Sequence, residues 1–295
     1  MARPPRIEFP GAVYHVSSRS EAGVPAFADD VDRQALLDLL AQAMQRFDAQ
    51  VLAYCLLPDH YHLLLYTRGA NLSRLMRHLN GVYTQHHNRR HGGDGALFHG
   101  RFKALLVDRE HCLLDACRYV ELNPLRLGLV QQAEQWPWSS FRAHAGLEAV
   151  PAWLDAEGLW RFVAGRSLTT AAERRRAAER YAKLVAAEPM LQLWPGRLQR
   201  QLFLGDEAFA GRMVAQMAAS SGLGRRSVRG RNKATGVDWE QWLARSDSRE
   251  QALYRAHTEG GHSMTALAAQ LGLSVSRISR LVALYERGMP GEVLV

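Results

Sequence analysis

Two patterns of hydrophobic and polar positions alternate along the N-terminal part of the chain. Four segments show alternating polarity or a short apolar run between turn residues, which predicts β-strands over 12–18, 51–57, 60–66 and 97–107. Three other segments have apolar residues three and four positions apart, which predicts amphipathic helices over 31–47, 72–90 and 110–123. Pro58 and Asp59 form a turn between the second and third strands, so these strands pair as a hairpin.

The order of these elements is β-α-β-β-α-β, followed by a further helix. This order predicts an α+β fold with a ferredoxin-like antiparallel sheet and helices on one face. We expect this domain to cover residues 1–145. A helical region with a basic, glycine-rich linker would follow over 146–236, and a second DNA-binding region would occupy 237–295.

Residues 263–285 have the pattern of a helix-turn-helix. Gly272 lies where the turn requires a positive φ, and Ser274 would cap the second helix. That helix would expose Arg277 and Arg280, which suit the major groove of duplex DNA. A plain helical hairpin with a solvated basic face is the alternative interpretation.

The overall charge indicates an anionic partner. The formal net charge is +8 and the isoelectric point is about 9.7, which favours nucleic acid first and an anionic membrane surface second. No apolar run approaches the roughly 20 residues of a membrane span, so we expect no membrane partner.

The three cysteines form no C-x-x-C pair. We therefore expect free buried thiols and a cytoplasmic protein.

His60 and His62 are the most informative residues of the chain. Side chains two positions apart on a strand point to the same face, so these imidazoles would lie side by side at the start of the third strand. Such a pair can share one metal ion. Imidazole combined with oxygen ligands suits Mg²⁺ or Mn²⁺, whereas the histidines alone would also suit zinc. Satisfied core or surface histidines are the alternative.

Tyr119 and Asn123 lie four residues apart on the last predicted helix, one above the other. The Asn123 amide oxygen could be a third metal ligand. A half-buried core tyrosine is the usual role of a helical tyrosine such as Tyr119. Tyr61 should point to the sheet face opposite the histidines, and Tyr83 has the spacing of a core residue.

A basic strip accompanies these residues. Arg101 and Lys103 would share a strand face with His99, and Arg126 follows the last helix closely. Such a strip can hold the backbone of single-stranded DNA. A solvated strand face is the alternative.

Four segments in this order resemble one known family. They are PGAVYHV at 10–16, LPDHYHLL at 57–64, LFHGRFKA at 97–104 and YVELNPLR at 119–126. Over about residues 7–145 the chain resembles the HUH single-tyrosine nucleases and, among them, the REP-associated tyrosine transposases. The resemblance implies that His60 and His62 bind a divalent metal, that Tyr119 is the nucleophile, and that Asn123 completes the metal site. The wider group commonly has glutamine at the position of Asn123.

The resemblance also implies a bacterial, nucleoid-associated location and an activity. The expected protein is a metal-dependent endonuclease and strand transferase for single-stranded hairpin DNA, with a 5′-phosphotyrosine intermediate, and it would act as a monomer or homodimer. A rolling-circle replication initiator or relaxase uses the same chemistry, but the sequence has no P-loop or helicase motif. A non-catalytic, sequence-specific DNA-binding regulator is the third possibility.

Overall fold

The computed structural model describes residues 7–194, 196–217, 239–258, 262 and 264–288. The chain forms two compact units, Met1–Ala218 and Ala219–Val295. Within the described residues, no helix combines the length and apolar character needed to cross a membrane.

The described part of the N-terminal unit contains one six-stranded sheet. Its strands are β1 (Ala12–Arg19), β2 (Ala49–Leu57), β3 (His60–Thr67), β4 (Lys103–Val107), β5 (Leu198–Gln199) and β6 (Phe203–Leu204). They lie in the order β2-β3-β1-β4-β6-β5. The pairs among β1 to β4 are antiparallel, but β6 pairs with β4 in parallel. The prediction of a purely antiparallel sheet is therefore wrong, because a later segment covers the open edge of β4.

Helices pack on both faces of this sheet, and the prediction of helices on one face is also wrong. Helices α1 (Asp30–Arg46) and α2 (Leu72–His91) lie with Tyr14 and Leu63 on one face. Helix α3 (Leu113–Glu121) packs with Leu64 on the other. Because β3 is apolar on both faces, each face requires a covering layer.

Strand β4 begins later than the pattern predicts. Residues 99–101 form a bend, and Phe98 makes only an isolated bridge with Ser20. Gly100 has a φ of +63°, in the left-handed region that interrupts a strand. Arg101 therefore lies in the loop before β4, and it does not share a strand face with His99 and Lys103.

The predicted helix over 110–123 is divided in two. Helix α3 ends at Glu121, and the short helix α4 (Asn123–Arg126) follows directly, with Pro124 in its first turn. Proline is tolerated there because the first-turn N–H groups have no partner within the helix. This break brings Asn123 and Arg126 back to the carbonyl oxygen of Tyr119.

The remaining helices of this unit extend it well beyond residue 145. They are α5 (Phe141–His144), α6 (Ala156–Ala164), α7 (Ala171–Ala187) and α8, which comprises the helical residues 207–217. The fully buried Glu121 accepts hydrogen bonds from Ser140 and from Tyr181 on α7. Residue 145 therefore does not end the compact unit, since α7 and the strands β5 and β6 belong to it.

The C-terminal unit is helical where the structure describes it. It contains α9 (Trp239–Ala244), α10 (Arg249–Thr258), α11 (Met264–Leu271) and α12 (Val275–Gly288). Gly272 has the expected positive φ of +63°, and the Ser274 hydroxyl accepts a hydrogen bond from the Arg277 N–H at 3.2 Å. Arg277 and Arg280 are exposed on α12. The predicted basic linker over 220–236 lies outside the described residues.

Candidate active site

His60 and His62 lie on one face of β3, at the end of the strand that follows the Pro58–Asp59 turn. Their ring centroids are 5.1 Å apart, and the rings are nearly perpendicular. Tyr61 lies on the opposite face, where its hydroxyl donates to Ser18. The strand period thus places the two imidazoles together, as the sequence predicts.

The Nδ1 atom of each imidazole already has a partner. Nδ1 of His60 lies 2.5 Å from an Asp59 carboxylate oxygen, and Nδ1 of His62 lies 3.0 Å from Nε2 of His15. The His15 and His62 rings are stacked. This arrangement orients both rings and leaves Nε2 of His60 and His62 for a cation, as outer partners do in metal sites.

Both imidazoles are held in the neutral form that binds metal. Burial lowers the pKa of His62 well below its usual value, and the nearby His15 and His60 rings lower that pKa further. Burial also lowers the pKa of His60, although the Asp59 carboxylate opposes this effect. Neutral imidazole is the ligand form of histidine, so the pair fits a divalent cation at neutral pH.

A third ligand for such a cation must come from a different kind of group. In the described part of the chain, the one cluster of three His, Cys, Asp or Glu ligand atoms lies elsewhere in this unit. Asn123 is buried and lines the same cleft as the histidines. Its Nδ2 donates to the carbonyl oxygens of Tyr119 and Val120, both at 3.1 Å. The amide oxygen is therefore the end of Asn123 that can coordinate.

Tyr119 lies on α3 with polar groups around its ring. The indole Nε1 of Trp194 donates to the Tyr119 hydroxyl at 2.8 Å. The Arg126 guanidinium lies 3.8 Å from the centre of the Tyr119 ring. The Tyr119 hydroxyl therefore accepts a hydrogen bond, and a cation lies against the face of its ring.

These residues line one cleft of about 760 Å³. The cleft brings together seven residues selected from the sequence: His60, His62, Arg101, Lys103, Tyr119, Asn123 and Arg126. Nη1 of Arg126 is buried and lacks a hydrogen-bond partner among the described residues. Arg277 and Arg280 lie in the C-terminal unit and are not part of this cleft.

The sequence did not identify His15 and Trp194 as site residues. His15 points to the opposite sheet face from its neighbours Tyr14 and Val16 on β1. Once β1 is known to pair with β3, the strand period therefore places His15 on the same face as His62. Trp194 lies in an irregular segment 75 residues beyond Tyr119, and no local pattern indicates its contact.

Comparisons with known proteins agree with this geometry. Residues 10–123 match the family model described as "Transposase IS200 like". A Haemophilus influenzae protein described as a REP-associated tyrosine transposase is 26% identical over 121 residues, which cover 37% of this chain and 69% of that protein.

Two solved structures are similar over part of the chain. One is a REP-associated tyrosine transposase bound to a REP hairpin, with a TM-score of 0.45 and 17% identity over 51% of this chain and 89% of the other. The second is a protein from Deinococcus radiodurans described as a transposase, with a TM-score of 0.30 and 20% identity over 41% and 96% of the two chains. Over residues 10–123, which are less than half of the chain, the protein is similar to the IS200-like transposases and to a REP-associated tyrosine member of that group.

Proposed function

We propose that this protein is a metal-dependent single-stranded DNA endonuclease and strand transferase that uses Tyr119 as its nucleophile. One observation carries the proposal: the Tyr119 side chain and the His60–His62 pair line the same cleft. The alternation of side chains along β3 puts the pair on one sheet face, and α3 carries the tyrosine on that face.

The residues around Tyr119 favour its reaction with a phosphodiester. A tyrosine hydroxyl is a weak nucleophile until its proton is lost. The Trp194 N–H and the Arg126 guanidinium stabilise the negative charge on the oxygen. The Tyr119 oxygen then forms a bond to phosphorus, and the bond from phosphorus to the 3′-oxygen breaks. The products are a 5′-phosphotyrosine and a free 3′-hydroxyl. The Tyr119 proton passes to water, and water returns a proton to the leaving 3′-oxygen.

The phosphotyrosine bond preserves the energy of the phosphodiester. A 3′-hydroxyl from the same or another DNA end can attack the phosphorus and release Tyr119. Strand transfer by this route needs no nucleotide cofactor.

His60, His62 and Asn123 are the residues that would hold Mg²⁺ or Mn²⁺. Such an ion, when bound, polarises the phosphoryl oxygens and orients the phosphate. The contacts of Asp59 with His60 and of His15 with His62 fix the two rings in place beforehand. This preparation lowers the cost of ordering the site when DNA binds.

Three cations of the cleft fit a single-stranded DNA backbone. Arg101 and Lys103 are exposed, and Arg126 has the unpaired buried N–H described above. A phosphate oxygen would satisfy that N–H and neutralise the cation. Since the Haemophilus influenzae relative is described as REP-associated, we propose a palindromic DNA hairpin as the substrate.

A second DNA contact is proposed for the C-terminal unit. Its helices α11 and α12, joined by three residues, have the form expected of a helix-turn-helix, and α12 exposes Arg277 and Arg280. These side chains would contact duplex DNA in the major groove. This observation also supports the alternative function, a sequence-specific regulator.

Cleavage of a labelled hairpin oligonucleotide with Mn²⁺ or Mg²⁺ tests the proposal. The wild-type protein should give a covalent protein–DNA band on a denaturing gel, and Tyr119→Phe and His62→Ala should abolish that band. Tyr66→Phe is a matched control, because Tyr66 lies on the same face of β3 but outside the cleft. If no palindrome is cleaved while duplex DNA binds tightly, the protein is a regulator instead.

A further inference from the structure

A second cluster of metal-binding side chains lies on the other face of the sheet, where α1 begins and α2 ends. Asp32, His87 and His91 each offer one ligand atom, and these atoms all lie within 4.8 Å of one another. His87 and His91 are four residues apart in the last turns of α2, with ring centroids 4.4 Å apart. Asp32 lies in the first turn of α1 and is fully buried.

One nitrogen of His87 is unaccounted for by protein contacts. Nε2 of His87 is buried and has no hydrogen-bond partner among the residues that the structure describes, and the whole residue is only 7% exposed. The backbone of Pro25 forms a hydrogen bond with His87. Proline has no N–H, so the Pro25 carbonyl accepts from Nδ1 and leaves the lone pair of Nε2 free. A histidine that donates one N–H to a carbonyl and keeps the other nitrogen free is arranged as a metal ligand.

The charges around the cluster also favour a cation. Arg90 pairs with both oxygens of Asp29, at 2.8 and 2.5 Å, and with one oxygen of Asp32 at 2.6 Å. One guanidinium therefore balances two carboxylates. The Asp32 carboxylate shares that cation with Asp29 and lies fully buried beside the two imidazoles, where a further positive charge is favourable.

We propose that Asp32, His87 and His91 bind a zinc ion that joins the start of α1 to the end of α2. Two imidazoles and one carboxylate are a common zinc ligand set, and water completes the tetrahedron on the exposed side of His91. Tetrahedral coordination requires ligand atoms about 3.3 Å apart. Ligand atoms that lie up to 4.8 Å apart must therefore close in, whereas Nε2 of His91, at 2.9 Å from Asp32, moves slightly away. Arg90 releases Asp32 and keeps its two contacts with Asp29.

This inference does not depend on the proposed DNA cleavage, because the two sets of ligands are separate. The competing arrangement has no metal. In that case Nε2–H of His91 donates to Asp32 at 2.9 Å, and the cluster is a hydrogen-bonded network around the Arg90–Asp32 ion pair. In the first arrangement the cluster binds a metal ion and needs His87 to do so. In the second it binds none.

Cobalt binding followed by visible absorption distinguishes them. The full-length chain with His60→Ala and His62→Ala removes the imidazoles of the cleft and should still bind one equivalent of Co²⁺, which Zn²⁺ displaces. Adding His87→Phe, which keeps an aromatic ring in the core, should abolish the absorption. Adding His91→Gln, at an exposed position, should weaken Co²⁺ binding at least tenfold. His111→Gln is the control, because His111 is exposed and belongs to neither cluster.

A stability measurement gives a second readout. Zinc at 100 times its dissociation constant should raise the Tm of the His60→Ala/His62→Ala chain by roughly 8 °C. That rise should be absent in the variants that also carry His87→Phe or His91→Gln. The proposal is overturned if the His60→Ala/His62→Ala chain binds no Co²⁺, or if its Co²⁺ affinity is the same with and without the His87 and His91 substitutions.

Discussion

The indole N–H of Trp194 donates a hydrogen bond of 2.8 Å to the hydroxyl of Tyr119. Trp194 lies outside the segment that matches the transposase family, which ends at residue 123. Two ion pairs hold its segment against α3: Glu188 with Arg118 at 2.7 Å and Arg197 with Asp115 at 2.5 Å. The extension beyond the family segment thus supplies a group that touches the proposed nucleophile.

Trp194→Phe should slow DNA cleavage by about tenfold, because a hydrogen bond to a developing phenolate contributes about 1.4 kcal/mol. Single-turnover cleavage of a hairpin at saturating protein measures this rate. Trp160→Phe is the matched control, since the Trp160 indole also donates to an oxygen at 2.8 Å but lies away from the cleft. Equal rates for the two variants would show that the Trp194 contact has no role in the reaction.

Arg126→Gln should reduce both cleavage and the salt dependence of DNA binding. Loss of one phosphate contact lowers the slope of log K against log salt by about 1. Fluorescence anisotropy with a single-stranded oligonucleotide at several salt concentrations measures the slope. Lys103→Gln should lower the slope similarly and leave the cleavage step less affected, because Lys103 has no contact with the Tyr119 ring. An unchanged slope for Arg126→Gln would exclude a phosphate contact.

Asn123→Asp should destabilise the N-terminal unit even without metal. A carboxylate cannot donate to the carbonyl oxygens of Tyr119 and Val120, which both accept from the Asn123 amide. We expect a loss of about 1 kcal/mol, which corresponds to a Tm lower by roughly 3 °C. Thermal melting in EDTA measures the change at pH 7. A Tm equal to that of the wild type would show that the two hydrogen bonds do not stabilise the fold.

Acid should destabilise the metal-free protein through His15. Burial, assisted by the Arg126 charge, lowers the pKa of His15 from 6.5 to about 4. Between these pH values the unfolded chain binds more protons than the folded chain. The free energy of unfolding therefore falls as pH decreases from 6.5 towards 4, and His15 accounts for about 2 kcal/mol between pH 7 and pH 5.

Urea unfolding in EDTA at pH 7 and pH 5 measures this loss. His15→Asn should lose less stability than the wild type over the same interval, because the titrating group is absent. The loss will not disappear, since burial also lowers the pKa of His62. If His15→Asn and the wild type lose the same free energy, His15 is not held neutral in the folded protein.

The positions of site residues that follow from the side-chain repeat of a single strand or helix could be predicted from the sequence. The strand period of two placed His60 and His62 on one face and Tyr61 on the other, and the helix period placed Asn123 beside Tyr119. The order of the first six elements could also be predicted, because each has a clear apolar pattern. These features depend on residues within a few positions of one another.

The parts that depend on distant residues could not be predicted. Strand β6 joins the edge of β4 after a separation of about 100 residues, and Trp194 reaches Tyr119 over 75 residues. Helix α3 packs on the second face because β3 is apolar on both sides. The apolar pattern of β3 does not show which helix covers each face. The early end of β4 depends on the positive φ of Gly100.

Identification of the residue that bonds to DNA tests the central claim most directly. The wild-type protein is incubated with a hairpin oligonucleotide and Mn²⁺, denatured and digested with protease and nuclease, and the DNA-linked peptide is sequenced by mass spectrometry. We predict a nucleotide attached through its 5′-phosphate to the Tyr119 oxygen, and no such peptide from His62→Ala. Attachment at another tyrosine, or cleavage with no covalent peptide at all, would contradict the account.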